Sequence, residues 1–316
     1  MAVLSVSNLK LYYGTLRGAV RAVDGVTFDL EDGEALGLVG ESGCGKSSTA
    51  IALIRLLPSN VVKFEGEILF KGKNLMTLSE GEIRSEIRWK KISMVFQGAM
   101  NSLNPVLKAG FQVAEPLIVH KNVDKKEALE KAKELFKLVG LPSEFVERYP
   151  HELSGGMRQR VVIATALSLN PEIVILDEPT SALDVSVQAQ IMNLLKRLKK
   201  QLHLSMIYIT HDIALASDLC DKIGVMYVGE IVELGPIEKV LLAPKHPYTQ
   251  KLISCIPLLR GERMPEFIPG APPDLINPPS GCRFHPRCQY VMEKCKVNSP
   301  PTISVDGRLV KCWLYE

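Results

Sequence analysis

The residues best suited to chemistry lie in one short glycine-rich segment, residues 40–48. They read Gly40-Glu41-Ser42-Gly43-Cys44-Gly45-Lys46-Ser47-Ser48 and fit the pattern G-x-x-x-x-G-K-[ST]. Glycines let such a segment curl so that its backbone N–H groups point inward at phosphate oxygens. Lys46 is predicted to reach the β- and γ-phosphates of a nucleotide, and the Ser47 hydroxyl to bind Mg²⁺. The residues predicted to contact phosphate are Gly40, Ser42, Gly43, Cys44, Gly45, Lys46, Ser47 and Ser48.

Polar side chains follow three of the apolar segments that are predicted to form strands. Gln97, the pair Asp177-Glu178, and His211 each come directly after such a segment. In open α/β sheets, nucleotides and metals bind at the carboxyl ends of the strands. We therefore expect Asp177 to contact Mg²⁺ and Glu178 to act as the base that polarises an attacking water. Gln97 is placed to reach a γ-phosphate, Mg²⁺ or that water.

A second candidate anion site is the segment Ser154-Gly155-Gly156, which precedes a predicted helix. Small residues at a helix start leave N–H groups free, and the helix dipole adds partial positive charge.

The glycine-rich segment lies between two elements that would position it. Residues 35–39 form a short apolar run typical of a buried strand, and residues 48–57 favour a helix that stops at Pro58. This order of strand, loop and helix is the context that the phosphate-binding pattern requires.

The remaining elements predict an α/β fold with an antiparallel β region at the N-terminus. Residues 3–39 alternate short apolar runs with turns, with Tyr12 and Tyr13 between the first strands, and residues 61–72 favour a β-hairpin. Residues 111–148 repeat apolar positions every three or four residues, which indicates amphipathic helices inserted into the α/β core.

Composition narrows the functional classes. The chain has 316 residues, a hydrophobic content of 46% and a net charge of +3, which is too small to argue for binding nucleic acid. No apolar run approaches the roughly 18–20 residues that cross a bilayer, and no signal peptide is evident, so we predict a cytoplasmic protein. Seven cysteines in such a compartment argue against a disulfide framework.

Taken in order, these motifs resemble the ATPase subunits of ABC transporters. The resemblance rests on the glycine-rich segment of residues 40–48, called the P-loop below, and on Gln97, Leu153-Ser154-Gly155-Gly156, Asp177-Glu178, Ser181-Ala182-Leu183-Asp184 and His211. It implies that ATP and Mg²⁺ are the ligands, and that Glu178 is the catalytic base. Gln97 would sense the γ-phosphate, contact Mg²⁺ and link to a membrane subunit, while His211 would contact the γ-phosphate.

The same resemblance implies that the ring of Tyr13 stacks on the adenine ring of ATP, with Tyr12 as the alternative residue. Ser154, Gly155 and Gly156 would cap the ATP held by a second, head-to-tail ABC ATPase subunit. It also implies a P-loop NTPase domain over residues 1–240, with a helical subdomain at about 99–165, and a C-terminal domain over residues 241–316.

The alternative function, from another class, is that of a soluble ABC ATPase of DNA maintenance or translation. Such proteins carry a long coiled coil or two P-loops, and this chain has one P-loop.

The C-terminal part is similar to the dipeptide and oligopeptide permease ATPases of bacteria and archaea. The similarity lies in His246-Pro247-Tyr248-Thr249, in Pro269-Gly270-Ala271-Pro272-Pro273 and in Gly281-Cys282-Arg283-Phe284-His285-Pro286-Arg287-Cys288. It implies a peripheral subunit at the cytoplasmic face of the membrane, paired with a paralogous ATPase, two transmembrane permease subunits and, indirectly, a solute-binding protein. Oligosaccharides or nickel remain alternative solutes.

Four cysteines near the C-terminus form a candidate metal site. Their spacing is Cys282-x5-Cys288-x6-Cys295-x16-Cys312, which lacks the paired C-x₂₋₄-C knuckles most common at zinc sites. From the residues alone, unliganded thiols, a structural Zn²⁺ and a [4Fe–4S] cluster all remain possible. The resemblance to the dipeptide ATPases favours the [4Fe–4S] cluster, with Zn²⁺ as the alternative, in a small Cys-rich C-terminal metal-binding domain.

Overall fold

The computed structural model describes residues 2–255 and 268–316. Its strands are β1 (Ala2–Thr15), β2 (Gly18–Glu31), β3 (Ala35–Val39), β4 (Val61–Phe70), β5 (Lys73–Asn74), β6 (Ile92–Val95), β7 (Ile173–Asp177), β8 (Ser205–Thr210), β9 (Lys222–Tyr227), β10 (Glu230–Pro236), β11 (Thr302–Val305) and β12 (Arg308–Lys311). Its α-helices are α1 (Lys46–Leu53), α2 (Glu80–Glu82), α3 (Ala109–Lys121), α4 (Lys125–Leu138), α5 (Gly155–Leu167), α6 (Val185–Leu202), α7 (Ile213–Leu219), α8 (Ile237–Leu242), α9 (Pro247–Ser254) and α10 (Glu293–Val297).

The chain divides into two compact units. The first comprises the described residues of Met1–Glu31, Ala35–Met76 and Ile209–Glu316, and the second comprises Asp32–Glu34 and Thr77–Tyr208. The division predicted from the sequence, at residues 240 and 241, stays a prediction, and residues 256–267 of that C-terminal range lie outside the described residues.

The first unit contains a four-stranded antiparallel sheet and five further strands. The four-stranded sheet has the order β2-β1-β4-β5. The five strands have the order β11-β12-β10-β9-β3, in which β3 pairs with β9 in parallel and the others pair antiparallel. The C-terminal hairpin of β11 and β12 therefore extends the strands that carry the P-loop.

Strands β1 and β2 are longer than the short apolar runs of the sequence indicated. Leu4 and Leu11 are both buried, although a regular strand would place them on opposite faces. Between them, an irregularity at Asn8, which has a φ of 47°, shifts the alternation of buried and exposed side chains by one residue. The expectation that Tyr12 and Tyr13 lie between strands was therefore wrong, because both lie within β1. The hairpin expected over residues 61–72 is present with different bounds: the long strand β4 turns at residues 71–72 and pairs antiparallel with the two-residue strand β5.

The second unit contains the parallel pair β6 and β7, the start of β8, and helices α2 to α6. Strand β7 is buried along its whole length. The predicted helices are present as α3 and α4, which separate at Asn122 in a left-handed conformation, and Asp124 caps the start of α4. Helix α4 is amphipathic as predicted, whereas α3 is buried along most of its surface. Within residues 2–255 and 268–316, no helix combines the length and apolar character needed to span a bilayer.

Candidate active site

The P-loop connects the fully buried strand β3 to helix α1, as the sequence predicted. Gly40, Gly43 and Gly45 have φ values of 152°, 77° and 109°, which L side chains rarely adopt. A Cβ on Gly40 would lie 2.2 Å from the Met226 carbonyl oxygen, and one on Gly45 would lie 2.0 Å from that of Ala22. Gly40 and Gly45 are therefore required by both conformation and space, and Gly43 by conformation alone. The sequence predicted that this helix continues to Leu57, but helix α1 ends at Leu53. It ends earlier because the backbone of Arg55 adopts a left-handed conformation, with a φ of 52°.

Lys46 lies across the P-loop and is 6% exposed. Its Nζ donates hydrogen bonds to the carbonyl oxygens of Gly40 at 2.8 Å and Glu41 at 3.0 Å. The ammonium is thus held beside the loop backbone, where the predicted phosphate contact needs it. Burial raises the pKa of the neighbouring Cys44 thiol, so this cysteine is neutral at physiological pH. Ser47, the predicted Mg²⁺ ligand, is half-buried in the first turn of α1.

Tyr12 and Tyr13 differ in their surroundings. Tyr12 donates a hydrogen bond from its hydroxyl to Asp24 at 2.6 Å, and burial together with this bond raises its pKa to about 12. Tyr13 pairs with Val20 on β2 and with Val61 on β4 and is half-buried. Tyr12 therefore has a structural bond, which leaves Tyr13 as the better candidate for stacking on a base.

The second unit joins two of the predicted catalytic residues. Gln97 follows β6, Glu178 follows β7, and the Gln97 Nε2 donates a hydrogen bond to the Glu178 Oε2 at 3.1 Å. Glu178 has a φ of 45°, an uncommon conformation for a residue with a side chain. Asp177 is the last residue of β7 and is 3% exposed. Both carboxylates thus stand at the carboxyl end of a parallel strand, as expected.

The segment Ser154-Gly155-Gly156 begins helix α5. Ser154 is the N-cap, and its hydroxyl accepts a hydrogen bond from the Met157 backbone N–H at 3.4 Å. A Cβ on Gly156 would lie 2.5 Å from the Val187 Cγ1 of helix α6. Gly156 is therefore also required for packing against α6.

His211 belongs to the first unit, where it follows β8 and is exposed. The next residue, Asp212, caps helix α7 by accepting N–H bonds from Ala214 and Leu215. The P-loop, Tyr13 and His211 thus lie in the first unit, and the remaining predicted nucleotide residues lie in the second.

Two residues that had no predicted role, Tyr248 and Arg287, hold Glu41 of the P-loop. The Tyr248 hydroxyl accepts a hydrogen bond from the Glu41 backbone N–H at 3.0 Å. The Arg287 guanidinium binds both oxygens of the Glu41 carboxylate, at 2.8 and 3.1 Å. This ion pair and a hydrogen bond to Tyr227 raise the pKa of Arg287 despite its burial. Both residues lie within the C-terminal segments that carried the resemblance, which was the available signal.

The four C-terminal cysteines line one cavity, together with Phe284, His285 and Trp313 among others. Burial, to which the neighbouring cysteines add, raises the pKa of Cys282 to about 12. Among the residues that the structure describes, no group of three or more His, Cys, Asp or Glu side chains could hold a metal ion. The structure therefore does not support the predicted Cys-rich metal-binding domain, although all four cysteines line the same cavity.

Comparison with known proteins agrees with this architecture. A family model described as ABC transporter matches residues 23–181, and one described as oligopeptide/dipeptide transporter, C-terminal region, matches residues 232–295. The chain is 47% identical to the oligopeptide transport ATP-binding protein OppD of Bacillus subtilis, over 99% of this chain and 88% of that protein. It is 45% identical to the dipeptide transport ATP-binding protein DppD of Caldanaerobacter subterraneus, over 99% and 97% of the two chains.

Solved structures support the same assignment. The dimeric structure of MJ0796, a bacterial ABC transporter cassette, has a TM-score of 0.66 and 32% identity, and it covers 74% of this chain and 98% of that one. A dimeric post-hydrolysis state of MJ0796 bound to ADP and Pi matches with the same TM-score and 31% identity. The chain therefore belongs to the ABC transporter family, in the group of oligopeptide and dipeptide transport ATP-binding proteins.

Proposed function

We propose that this chain is the ATP-hydrolysing subunit of an importer of dipeptides or oligopeptides. The proposal is supported by identities of 45–47% over nearly the whole chain to proteins named for oligopeptide or dipeptide transport. On this proposal the chain works at the cytoplasmic face of a prokaryotic membrane, against two permease subunits. A solute-binding protein would deliver the peptide to them.

The reaction is the transfer of the γ-phosphoryl group of ATP to water. The water oxygen forms a bond to the γ-phosphorus, the bond from phosphorus to the bridging oxygen breaks, and ADP leaves with that electron pair. We assign the polarisation of the water to the Glu178 carboxylate and the orientation of that carboxylate to Gln97. The observation that carries this assignment is the 3.1 Å hydrogen bond between them at the end of β7.

The remaining residues bind and position the nucleotide. We assign the binding of the phosphates to the P-loop amides and Lys46, and an additional contact with the γ-phosphate to His211. We assign stacking on the adenine ring to Tyr13. Ser47, Gln97 and Asp177 offer the oxygen donors that Mg²⁺ prefers, and the ion would neutralise phosphate charge when bound. We assign Ser154, Gly155 and Gly156 to the ATP of the opposite subunit.

Replacing the base tests the assignment. We expect Glu178→Gln to slow ATP hydrolysis by about a hundredfold or more while ATP binding persists, because the amide cannot accept a proton. ATP-bound dimers should then accumulate, as measured by size-exclusion chromatography with ATP and Mg²⁺. Glu172→Gln, which alters a carboxylate just before β7 that pairs with Lys91 at 2.8 Å, is the matched control. Hydrolysis by Glu178→Gln at the parental rate would refute the base assignment.

We propose that the second ABC ATPase subunit of the dimer is a paralogue of this chain. One P-loop and one Ser154-Gly155-Gly156 segment in a chain can complete a site only with a second ABC ATPase. Co-expression of this chain with a candidate sister subunit should give a stable ATP-dependent heterodimer in the Glu178→Gln background. Homodimers alone, with no heterodimer, would contradict this assignment.

The transported solute is assigned to short peptides. Uptake of labelled dipeptides and longer peptides by cells that contain the whole transporter should stop when Lys46→Ala replaces the parent chain. Uptake of nickel or of oligosaccharides that depends on Lys46 in the same way would replace the peptide assignment.

We also propose that the four-cysteine cavity takes a [4Fe–4S] cluster. The support is that Cys282, Cys288, Cys295 and Cys312 line one cavity, and four thiolates are the donor set of such clusters. Protein purified without oxygen should have a broad absorbance near 400 nm and about four iron and four sulfide per chain. A colourless protein with one zinc per chain would instead make the site a structural Zn²⁺ site, and a metal-free protein would remove the proposal.

A further inference from the structure

A cavity of about 300 Å³ opens beside the P-loop within the first unit. One wall is formed by P-loop residues 41–44, and further walls by Val20, Tyr227 and Val228. The remaining wall is the C-terminal segment Pro272–Leu275. Residues more than 200 positions apart in sequence therefore enclose one space.

The cavity adjoins both groups of residues that are assigned to the nucleotide. The P-loop residues in its wall are those assigned to the phosphates. Val20 in its wall is the residue that pairs directly with Tyr13, which is assigned to the adenine ring. A nucleotide that uses both ends places its ribose and part of its base along this cavity.

The segment that forms the last wall is fixed at both ends. The Leu275 carbonyl oxygen accepts a hydrogen bond from the Arg21 backbone N–H of β2 at 3.0 Å. At the other end, the Arg287 Nε donates to the Pro269 carbonyl oxygen at 2.7 Å, and its Nη2 donates to that of Gly270 at 3.3 Å. The same guanidinium binds the Glu41 carboxylate of the P-loop. Arg287 therefore ties the segment and the P-loop together.

We propose that Pro272–Leu275 is part of the nucleotide pocket and contacts the nucleoside half of ATP. This rests on the proposed function, in which ATP binds at the P-loop. Two consecutive prolines give a rigid apolar surface that loses little conformational entropy on binding. Leu275, which is half-buried, adds apolar area that a ribose or base can cover. The C-terminal region thus contributes directly to nucleotide affinity.

The test separates the nucleoside from the phosphates. Dissociation constants for ADP and for inorganic tripolyphosphate are measured by calorimetry on the full chain and on Leu275→Ala and Pro273→Gly. We expect both variants to weaken ADP binding about three- to tenfold, the loss typical of a partly buried apolar contact. Tripolyphosphate affinity should stay within about twofold of the parent, because it has no nucleoside.

Two controls make the outcome decisive. Pro278→Ala alters the same C-terminal region outside the cavity and should leave both affinities unchanged. Lys46→Ala should weaken ADP and tripolyphosphate together. Equal unfolding midpoints for all variants, measured by circular dichroism, establish that each is folded.

The result that overturns the inference is unchanged ADP affinity in Leu275→Ala and Pro273→Gly while Lys46→Ala abolishes binding. In that case ATP binds at the P-loop as proposed, but Pro272–Leu275 does not contribute to nucleotide affinity. Equal losses of ADP and tripolyphosphate in the wall variants also overturn it, because the segment would then act through the P-loop. If Lys46→Ala changes neither affinity, the proposed function itself fails.

Discussion

The carboxylate of Glu233 holds the C-terminal hairpin and the start of helix α9 together, and replacing it should destabilise the protein measurably. Glu233 has 0% exposure, and its oxygens accept the backbone N–H groups of Lys245 at 3.0 and 3.2 Å and of His246 at 2.8 Å. The Arg308 Nη1 of β12 lies 3.6 Å from the Glu233 Oε1. His246 caps α9 through its Nδ1, which accepts the Tyr248 backbone N–H at 3.0 Å. This cluster therefore supports the helix whose Tyr248 binds the P-loop.

The magnitude for Glu233→Gln follows from the partners that are lost. Breaking a buried ion pair by changing one partner costs about 3–5 kcal/mol. The glutamine retains one oxygen acceptor for a backbone N–H, while its amide group faces donors. We therefore take the lower end, about 3 kcal/mol. At roughly 2–4 °C per kcal/mol, the range for domains of about 150–250 residues, that loss lowers the thermal unfolding midpoint by roughly 6–12 °C.

The assay is thermal unfolding of nucleotide-free protein, followed by circular dichroism. Glu233→Gln is compared with Arg308→Met and with the double variant, whose effect should be smaller than the sum because the two residues share one interaction. Lys245→Ala is the matched control, because it removes a half-exposed pair with Asp306 of the hairpin turn and a contact with the Tyr315 ring, and leaves Glu233 and its backbone partners in place. A midpoint for Glu233→Gln equal to that of Lys245→Ala would refute the reasoning.

Four further substitutions test single residues of the site. Gly45→Ala should abolish nucleotide binding, measured by calorimetry, because a Cβ there would lie 2.0 Å from a backbone carbonyl oxygen of β2. Tyr12→Phe should lower the free energy of unfolding by about 1 kcal/mol with ATP affinity unchanged, whereas Tyr13→Ala should weaken ATP binding roughly tenfold. Gly156→Ala should leave ADP binding to the monomer intact but impair ATP-driven dimers, since its Cβ would displace a side chain of α6. If Tyr12→Phe weakened ATP binding and Tyr13→Ala did not, the roles of the two tyrosines would be exchanged. Unimpaired ATP-driven dimers in Gly156→Ala would refute the assignment of Gly156 to the ATP of the opposite subunit.

Much of the nucleotide site could be predicted because its signals are local. The P-loop needs only a buried strand, three glycines and a helix start in succession, and each of these is determined by neighbouring residues. Asp177 and Glu178 likewise follow an all-apolar strand whose end is visible in the sequence. Predictions of length were weaker. The bulge at Asn8 shifts the alternation of β1, so the sequence displays two short apolar runs where the structure has one long strand.

The sequence by itself determined that this protein has a P-loop, two adjacent carboxylates at a strand end and a four-cysteine C-terminal segment. Only the tertiary structure decided what the other parts contact. Glu41 is bound by Tyr248 and Arg287, which are 207 and 246 residues away along the chain. The bond from Tyr12 to Asp24 likewise gives Tyr12 a structural partner, which supports the assignment of Tyr13 that the sequence favoured only through a resemblance. The physical reason is that such hydrogen bonds depend on which strands pair and in which register, and no local pattern of residues encodes a partner hundreds of positions distant.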